Sequence, residues 1–238
     1  MKIAAYQAPL LPGGSMDAVA LIRDRVKWCE SEGVEILCCP EAVLGGLADD
    51  AQCPADSAIG VENGQLQALL APLASPVTTI VGFTEAADGK LYNAAAVLHD
   101  GRVAGIYRKR HPAIRRSVYS AGDESPVFTI GCLPFGIMIC NDSNYPALAS
   151  DLSARGARVI FLPSNNGLPA DRADVVAQTR AVDIALARDN GVMIVRADVA
   201  GRSADRLSFG SSAIVDARGT VLRAGAALRA DILVADVA

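Results

Sequence analysis

Short apolar runs and stretches of helical spacing alternate along the chain, separated by Gly, Pro and Asp punctuation. A strand is predicted over 2–7, where Ile3-Ala-Ala-Tyr6 is apolar without a break, as a strand covered on both faces requires. Ser15 stands where a helix cap belongs, Asp17 falls in the first turn and Gly33 ends the periodic stretch, which predicts a helix over 15–32. A second strand is predicted over 34–39, a helix over 66–74 and a β-branched strand over 77–84. Two further runs, 93–98 and 102–107, flank Asp100-Gly101, a dipeptide that favours a tight hairpin turn.

The second half repeats the scheme. Runs at 127–130 and 133–139 predict another hairpin, 145–155 a helix stopped by Gly156, and 159–162 a strand. A long amphipathic stretch over 173–190 closes on Gly191 and leads into a strand over 192–197. Residues 211–215 and 220–222 flank Asp216-Ala-Arg-Gly219 as a further hairpin, and 232–235 reads as a last strand. Strand–helix units mixed with hairpins imply mixed sheets. So many strands for so few helices predict an α/β fold with two mixed sheets packed face to face and helices outside. That is a four-layer α-β-β-α sandwich, expected as one domain over 1–238.

Composition narrows the function. A net charge of −4 gives no basic stripe to neutralise phosphates, so nucleic acid is not an expected partner. The one basic cluster, Arg108-Lys-Arg-His111 with Arg115-Arg116, is too short for a duplex footprint and is expected as a solvated loop. No run approaches the ~20 apolar residues of a membrane span, and the N-terminus lacks the pattern of a signal peptide. The six cysteines show no C-x-x-C spacing, which predicts neither a disulfide framework nor a zinc site. The expected setting is cytoplasmic and reduced, without metal, cofactor or membrane. Cys38 and Cys39 are adjacent on a strand, so they should enter the core from opposite faces.

Three of the apolar runs end on reactive side chains. The run at 34–39 leads into Pro40-Glu41, the run at 103–107 into Arg108-Lys109, and the run at 131–139 stops on Cys140 before Asn141-Asp-Ser-Asn144. In α/β sheets, ligands collect along the carboxyl ends of the strands. A carboxylate, an ammonium and a thiol delivered there are the parts of a nucleophilic hydrolase. Each residue also has a plain structural reading: Cys140 as a small core hydrophobe, Glu41 as a turn cap, Lys109 as one more solvated charge. A papain-like pairing of Cys140 with His111 is a rival, whereas His99, beside the Asp100-Gly101 turn, is expected exposed and inert.

The local sequences around these residues resemble the nitrilase superfamily of carbon–nitrogen hydrolases over nearly the whole chain. The matching stretches are Cys38-Cys-Pro-Glu41, Gly105-Ile-Tyr-Arg-Lys-Arg-His111 and Gly136-Ile-Met-Ile-Cys-Asn-Asp142, with weaker echoes at 162–165, 180–190 and 209–219. The resemblance implies a cysteine acyl-thioester mechanism that cleaves a small linear amide or carbamoyl compound and releases ammonia. Cys140 would be the nucleophile and Glu41 the base. Lys109 would stabilise first the thiolate and then the oxyanion, with the backbone N–H of Asn141 as second oxyanion donor. Asn165 and Tyr145 are candidate substrate contacts, and a homodimer or higher homo-oligomer is implied.

The sequence also departs from the family's pattern. Counting back seven residues from the glycine of Tyr119-Ser-Ala-Gly-Asp123, where the family has a second glutamate, lands on Arg115. The arginine usual in the stretch after the cysteine is absent too, since Asn141-Asp-Ser-Asn-Tyr-Pro146 stands there. Arg115 therefore leaves three readings: a slower enzyme, a side chain that binds a substrate carboxylate, or a relative that binds a small molecule or a protein without hydrolysis. Acyl transfer to an amine is a further alternative.

Overall fold

The computed structural model of the chain describes residues 1–113, 117–167, 175–203 and 206–237. In chain order its first half comprises β1 (Lys2–Pro9), α1 (Ala18–Ser31), β2 (Ile36–Cys38), β3 (Ile59–Gly60), α2 (Gln65–Leu70), β4 (Thr78–Ala87), β5 (Lys90–His99) and β6 (Arg102–Arg108). The second half comprises β7 (Phe128–Ile130), β8 (Leu133–Ile137), α3 (Pro146–Ala154), β9 (Val159–Pro163), α4 (Val175–Asn190), β10 (Met193–Ala197) and β11 (Val199–Ser203). It ends with β12 (Arg206–Ser208), β13 (Ala213–Val215), β14 (Val221–Ala224) and β15 (Asp231–Asp236).

The strands form two mixed sheets. One runs β12-β11-β1-β2-β4-β5-β6, with β15 antiparallel on β1 and β3 parallel on β4. The other runs β14-β13-β10-β9-β8-β7, parallel from β8 through β10 and antiparallel outside. Three apolar clusters separate four layers. Ile3, Ile36, Ile80 and Val97 of the first sheet meet Phe135, Ile137, Phe161 and Val195 of the second. Ile22, Val26 and Leu70 of α1 and α2 cover the outer face of the first sheet, while Leu148, Leu152 and Leu186 of α3 and α4 cover the second. The α-β-β-α sandwich follows from period-2 alternation, since every central strand has one apolar face for the partner sheet and another for a helix. Cys38 faces the opposite sheet and Cys39 the helices, both fully buried. No helix among the described residues is long and apolar enough to cross a membrane.

Several boundaries differ from the sequence reading for identifiable reasons. Helix α1 opens at Ala18, and Ser15 spends its hydroxyl on the N–H and carboxylate of Asp17 instead of capping the helix. The strand expected over 77–84 reaches Ala87 and turns back into β5 through Asp88 and Gly89, both at positive φ, as a tight hairpin demands. The strand expected from 211 begins at Ala213, because Ser211 is held by the Asp198 carboxylate. The β11–β12 hairpin was hidden by its polar, glycine-containing sequence. His99, expected exposed, is half-buried, and its Nδ1 is bonded to Thr78 Oγ1 at 2.9 Å.

Candidate active site

Glu41 sits in the turn that leaves β2, and a glycine puts it there. A Cβ on Gly82 of β4 would overlap the Pro40 carbonyl and lie 2.6 Å from Ala42 N, so the Glu41 turn rests directly on bare backbone. Neither neighbour is a flexible side chain. Gly82→Ala is expected to destabilise the protein by about 1–3 kcal/mol and to displace Glu41, measured as a lower melting temperature together with lost turnover.

The Glu41 carboxylate is buried, and its Oε1 accepts Lys109 Nζ at 2.6 Å and Asn93 Nδ2 at 2.7 Å. Lys109 lies just past β6, and its backbone N–H donates to the Asn93 carbonyl at 2.8 Å. Burial disfavours the Lys109 charge, but the Glu41 carboxylate, helped by Asp142, outweighs it and lifts the ammonium above the ordinary lysine value. Residues 108–110 of the basic cluster are thus not a solvated loop, while 115 and 116 lie outside the described residues. Arg108 forms a two-bond pair with Glu85 over the Tyr92 ring, Lys109 is buried on Glu41, and Arg110 reaches Ser125 Oγ.

Cys140 opens a short 3₁₀ turn, Cys140–Asn144, at φ +44°, a conformation that non-glycine residues rarely adopt. Asp142 holds this turn against the Lys109 segment. Its Oδ2 accepts Tyr107 Oη at 2.7 Å and Ile139 N at 2.9 Å, and its Oδ1 accepts His111 N at 2.8 Å. Burial and then the Glu41 charge push the Cys140 thiol up to about 12, against the pull of Lys109 and Arg196. This direction favours the protonated thiol, which leaves its proton for a base such as Glu41 to remove. The negative charge is already on Glu41, and a second anion beside it is unfavourable.

Glu41, Lys109 and Cys140 line one cavity of about 400 Å³. Asn141 and Asn165 line it as well. The Asn141 side chain donates to the His111 carbonyl at 3.1 Å, and Asn165 Nδ2 lies 3.4 Å from the Glu41 carbonyl. Tyr145 is not among the lining residues. Its ring is largely exposed and stacks on His111 at 3.6 Å, which engages that imidazole away from a cysteine–histidine pair. Arg115 lies outside the described residues. Among those described, no cluster of three His, Cys, Asp or Glu side chains is placed to hold a metal ion.

Sequence reasoning missed several groups at the site. Asn93 donates to Glu41, and Tyr119 Oη, also on the cavity wall, bonds Ala48 N at 2.7 Å and Thr84 Oγ1 at 2.8 Å. Arg196 on β10 is almost fully buried and forms a two-bond pair with Asp183 of α4. Its signal was available: one cation interrupts the otherwise apolar run 192–197, and an unpaired charge cannot be buried there. Residues of α4, including Gln178 and Val182, and Arg206, paired with Asp50 at 2.6 Å, complete the cavity beyond the loops that the motifs mark.

A family model described as carbon-nitrogen hydrolase matches residues 2–238. The chain is 29% identical over 224 residues to a glutamine-dependent NAD(+) synthetase of Xylella fastidiosa, covering 87% of this chain and 38% of that protein. It is 28% identical over 226 residues to an (R)-stereoselective amidase of Pseudomonas sp., covering 93% and 80% respectively. The structure of an amidase from Nesterenkonia sp. superposes with a TM-score of 0.83 at 21% identity, over 100% of this chain and 90% of that one. A glutamine-dependent NAD+ synthetase from Acinetobacter baumannii superposes with a TM-score of 0.85 at 19% identity, over 98% of this chain and 44% of that one. The chain therefore spans well under half the length of the synthetases it matches and most of the length of the amidases.

Proposed function

This chain belongs to the carbon–nitrogen hydrolase family, and from that premise we propose that it is a thiol amidase acting on a small primary amide. The observation that carries the reading is the meeting of three side chains, 41, 109 and 140 in the chain, around one cavity with Lys109 and Asn93 both on Glu41 Oε1. With that oxygen occupied, Glu41 Oε2 is the one left to take the Cys140 proton as sulfur attacks the amide carbon. Deprotonation during attack fits a thiol whose protonated form is favoured at rest. Lys109, too strongly cationic to give up its proton, supplies fixed positive charge to the developing oxyanion, and the Asn141 N–H is assigned as second donor. Glu41 returns the proton to the departing nitrogen, ammonia leaves, and a water deprotonated by Glu41 cleaves the thioester. Residues 1–238 are read as one hydrolase domain.

An amide is favoured over a nitrile by the match to an (R)-stereoselective amidase. A second reading, favoured by the match to glutamine-dependent NAD(+) synthetases, takes the glutamine side-chain carboxamide as substrate. One panel separates them. Ammonia release is measured with propionamide, glutamine, propionitrile and an N-carbamoyl amino acid. Release from propionamide or glutamine, with none from the nitrile, is the expected result. Intact protein with no turnover and no covalent adduct at Cys140 would instead favour a binding module, and product that requires an added amine would favour acyl transfer.

A further inference from the structure

Arg196 has no part in the steps above, yet it shares the cavity wall with Cys140. Its donors run in three directions. Nε and Nη2 hold Asp183 at 2.9 and 2.6 Å, Nη1 donates to Ser164 Oγ at 2.5 Å, and Nη2 reaches Ser143 Oγ at 3.3 Å. Ser143 Oγ in turn donates to the Cys140 carbonyl at 2.7 Å, and the Ser164 carbonyl accepts the Glu41 N–H at 3.2 Å. One buried guanidinium is therefore linked to the backbone of both the base and the nucleophile.

Resting on the hydrolase reading, we propose that Ser143, anchored by Arg196, is a positioning residue that aims the Asn141 N–H at the substrate oxyanion. The physical link is the peptide joining Cys140 to Asn141. That unit is planar and trans, so its carbonyl and its N–H point in opposite directions. A hydroxyl that pins the Cys140 carbonyl thereby fixes the line of the Asn141 N–H. The hydroxyl is itself oriented: an oxygen that accepts from Arg196 directs its own proton to the carbonyl. Such bracing is needed here because Cys140 at φ +44° is in a sparsely populated backbone region and relaxes unless its surroundings hold it. The turn after Cys140 has no cation of its own, as Asn141, Asp142, Ser143 and Asn144 show, so the anchor comes from β10.

Two reactions at the same sulfur test this. Propionamide hydrolysis passes through an oxyanion. Iodoacetamide alkylation displaces iodide at a saturated carbon and forms no oxyanion, so it reads the thiol alone. Ser143→Ala is expected to lower kcat for propionamide by about 10-fold or more with KM little changed, because the lost interaction belongs to the transition state. Alkylation of Cys140 should proceed at the wild-type rate, and Ser143→Thr, which restores the hydroxyl, should recover most of kcat. The double variant Arg196→Met with Asp183→Leu removes the anchor without stranding a buried charge, and its kcat should fall at least as far. Wild-type kcat in Ser143→Ala, or equal losses of turnover and alkylation, would overturn the brace and leave the hydrolase reading intact. A wild-type protein that releases ammonia from neither propionamide nor glutamine would overturn the hydrolase reading and the brace with it.

Discussion

Cys140→Ala is expected to abolish ammonia release from short amides, a loss on the order of 10⁴-fold or more, because no other nucleophile replaces the thioester step. The fold should survive, since the change removes only one sulfur from the wall of a cavity. Glu41→Gln sharpens the result. Its side-chain oxygen still accepts from Lys109 and Asn93, so the site stays assembled, but no base remains to take the thiol proton. Turnover should fall on the order of 10²- to 10⁴-fold while Cys140 still alkylates with iodoacetamide. Peptide mapping reads this directly, with exposed Cys53 and Cys132 as internal controls. Substantial turnover in Cys140→Ala would remove the basis for the thiol mechanism.

The second large effect is on stability. Arg196 and Asp183 are both buried, and their two-bond pair ties β10 to α4. Arg196→Met leaves the Asp183 carboxylate buried without its partner, which costs about 3–5 kcal/mol. For a chain of this size that corresponds to a fall in melting temperature of roughly 6–20 °C. Arg180, a second cation near Asp183 whose Nη2 is engaged with the Ser211 and Ser212 carbonyls, places the effect toward the lower end. Replacing both partners, Arg196→Met with Asp183→Leu, should recover most of the loss, since the cost lies in the stranded charge and not in the missing bonds. A single variant that melts like wild type would mean that Asp183 finds a proton or another partner.

The layers were legible because burial on both faces leaves a strong local mark. Runs such as 36–39 and 133–139 carry no polar side chain, and hairpins announce themselves through Asp-Gly turns. Even so, the Asp88-Gly89 turn was passed over, because the strand ends beside it carry Glu85 and Lys90 and lose the apolar signal. The same limit hid β11 and β12, whose pairing is satisfied by backbone and in which Arg202, Ser203, Arg206 and Ser208 break the apolar signal. Tyr145 looked available from its place near Cys140. Past the Cys140 turn its ring is exposed and stacks on His111, and it does not line the cavity.

By itself the sequence determined which residue types stand at the ends of buried strands and how many layers those strands build, since both follow from spacing along a few neighbouring positions. Only the tertiary structure decided which of those ends converge. Glu41 meets Lys109 and Asn93, and Arg196 meets Asp183 and Ser143, across separations set by sheet order and by the stacking of one sheet on the other. It also decided the electrostatic surroundings that push the thiol's pKa up. A cysteine's neighbours in sequence say nothing of how deeply it is desolvated or which ions face it, and here those ions come from β2, β6 and β10.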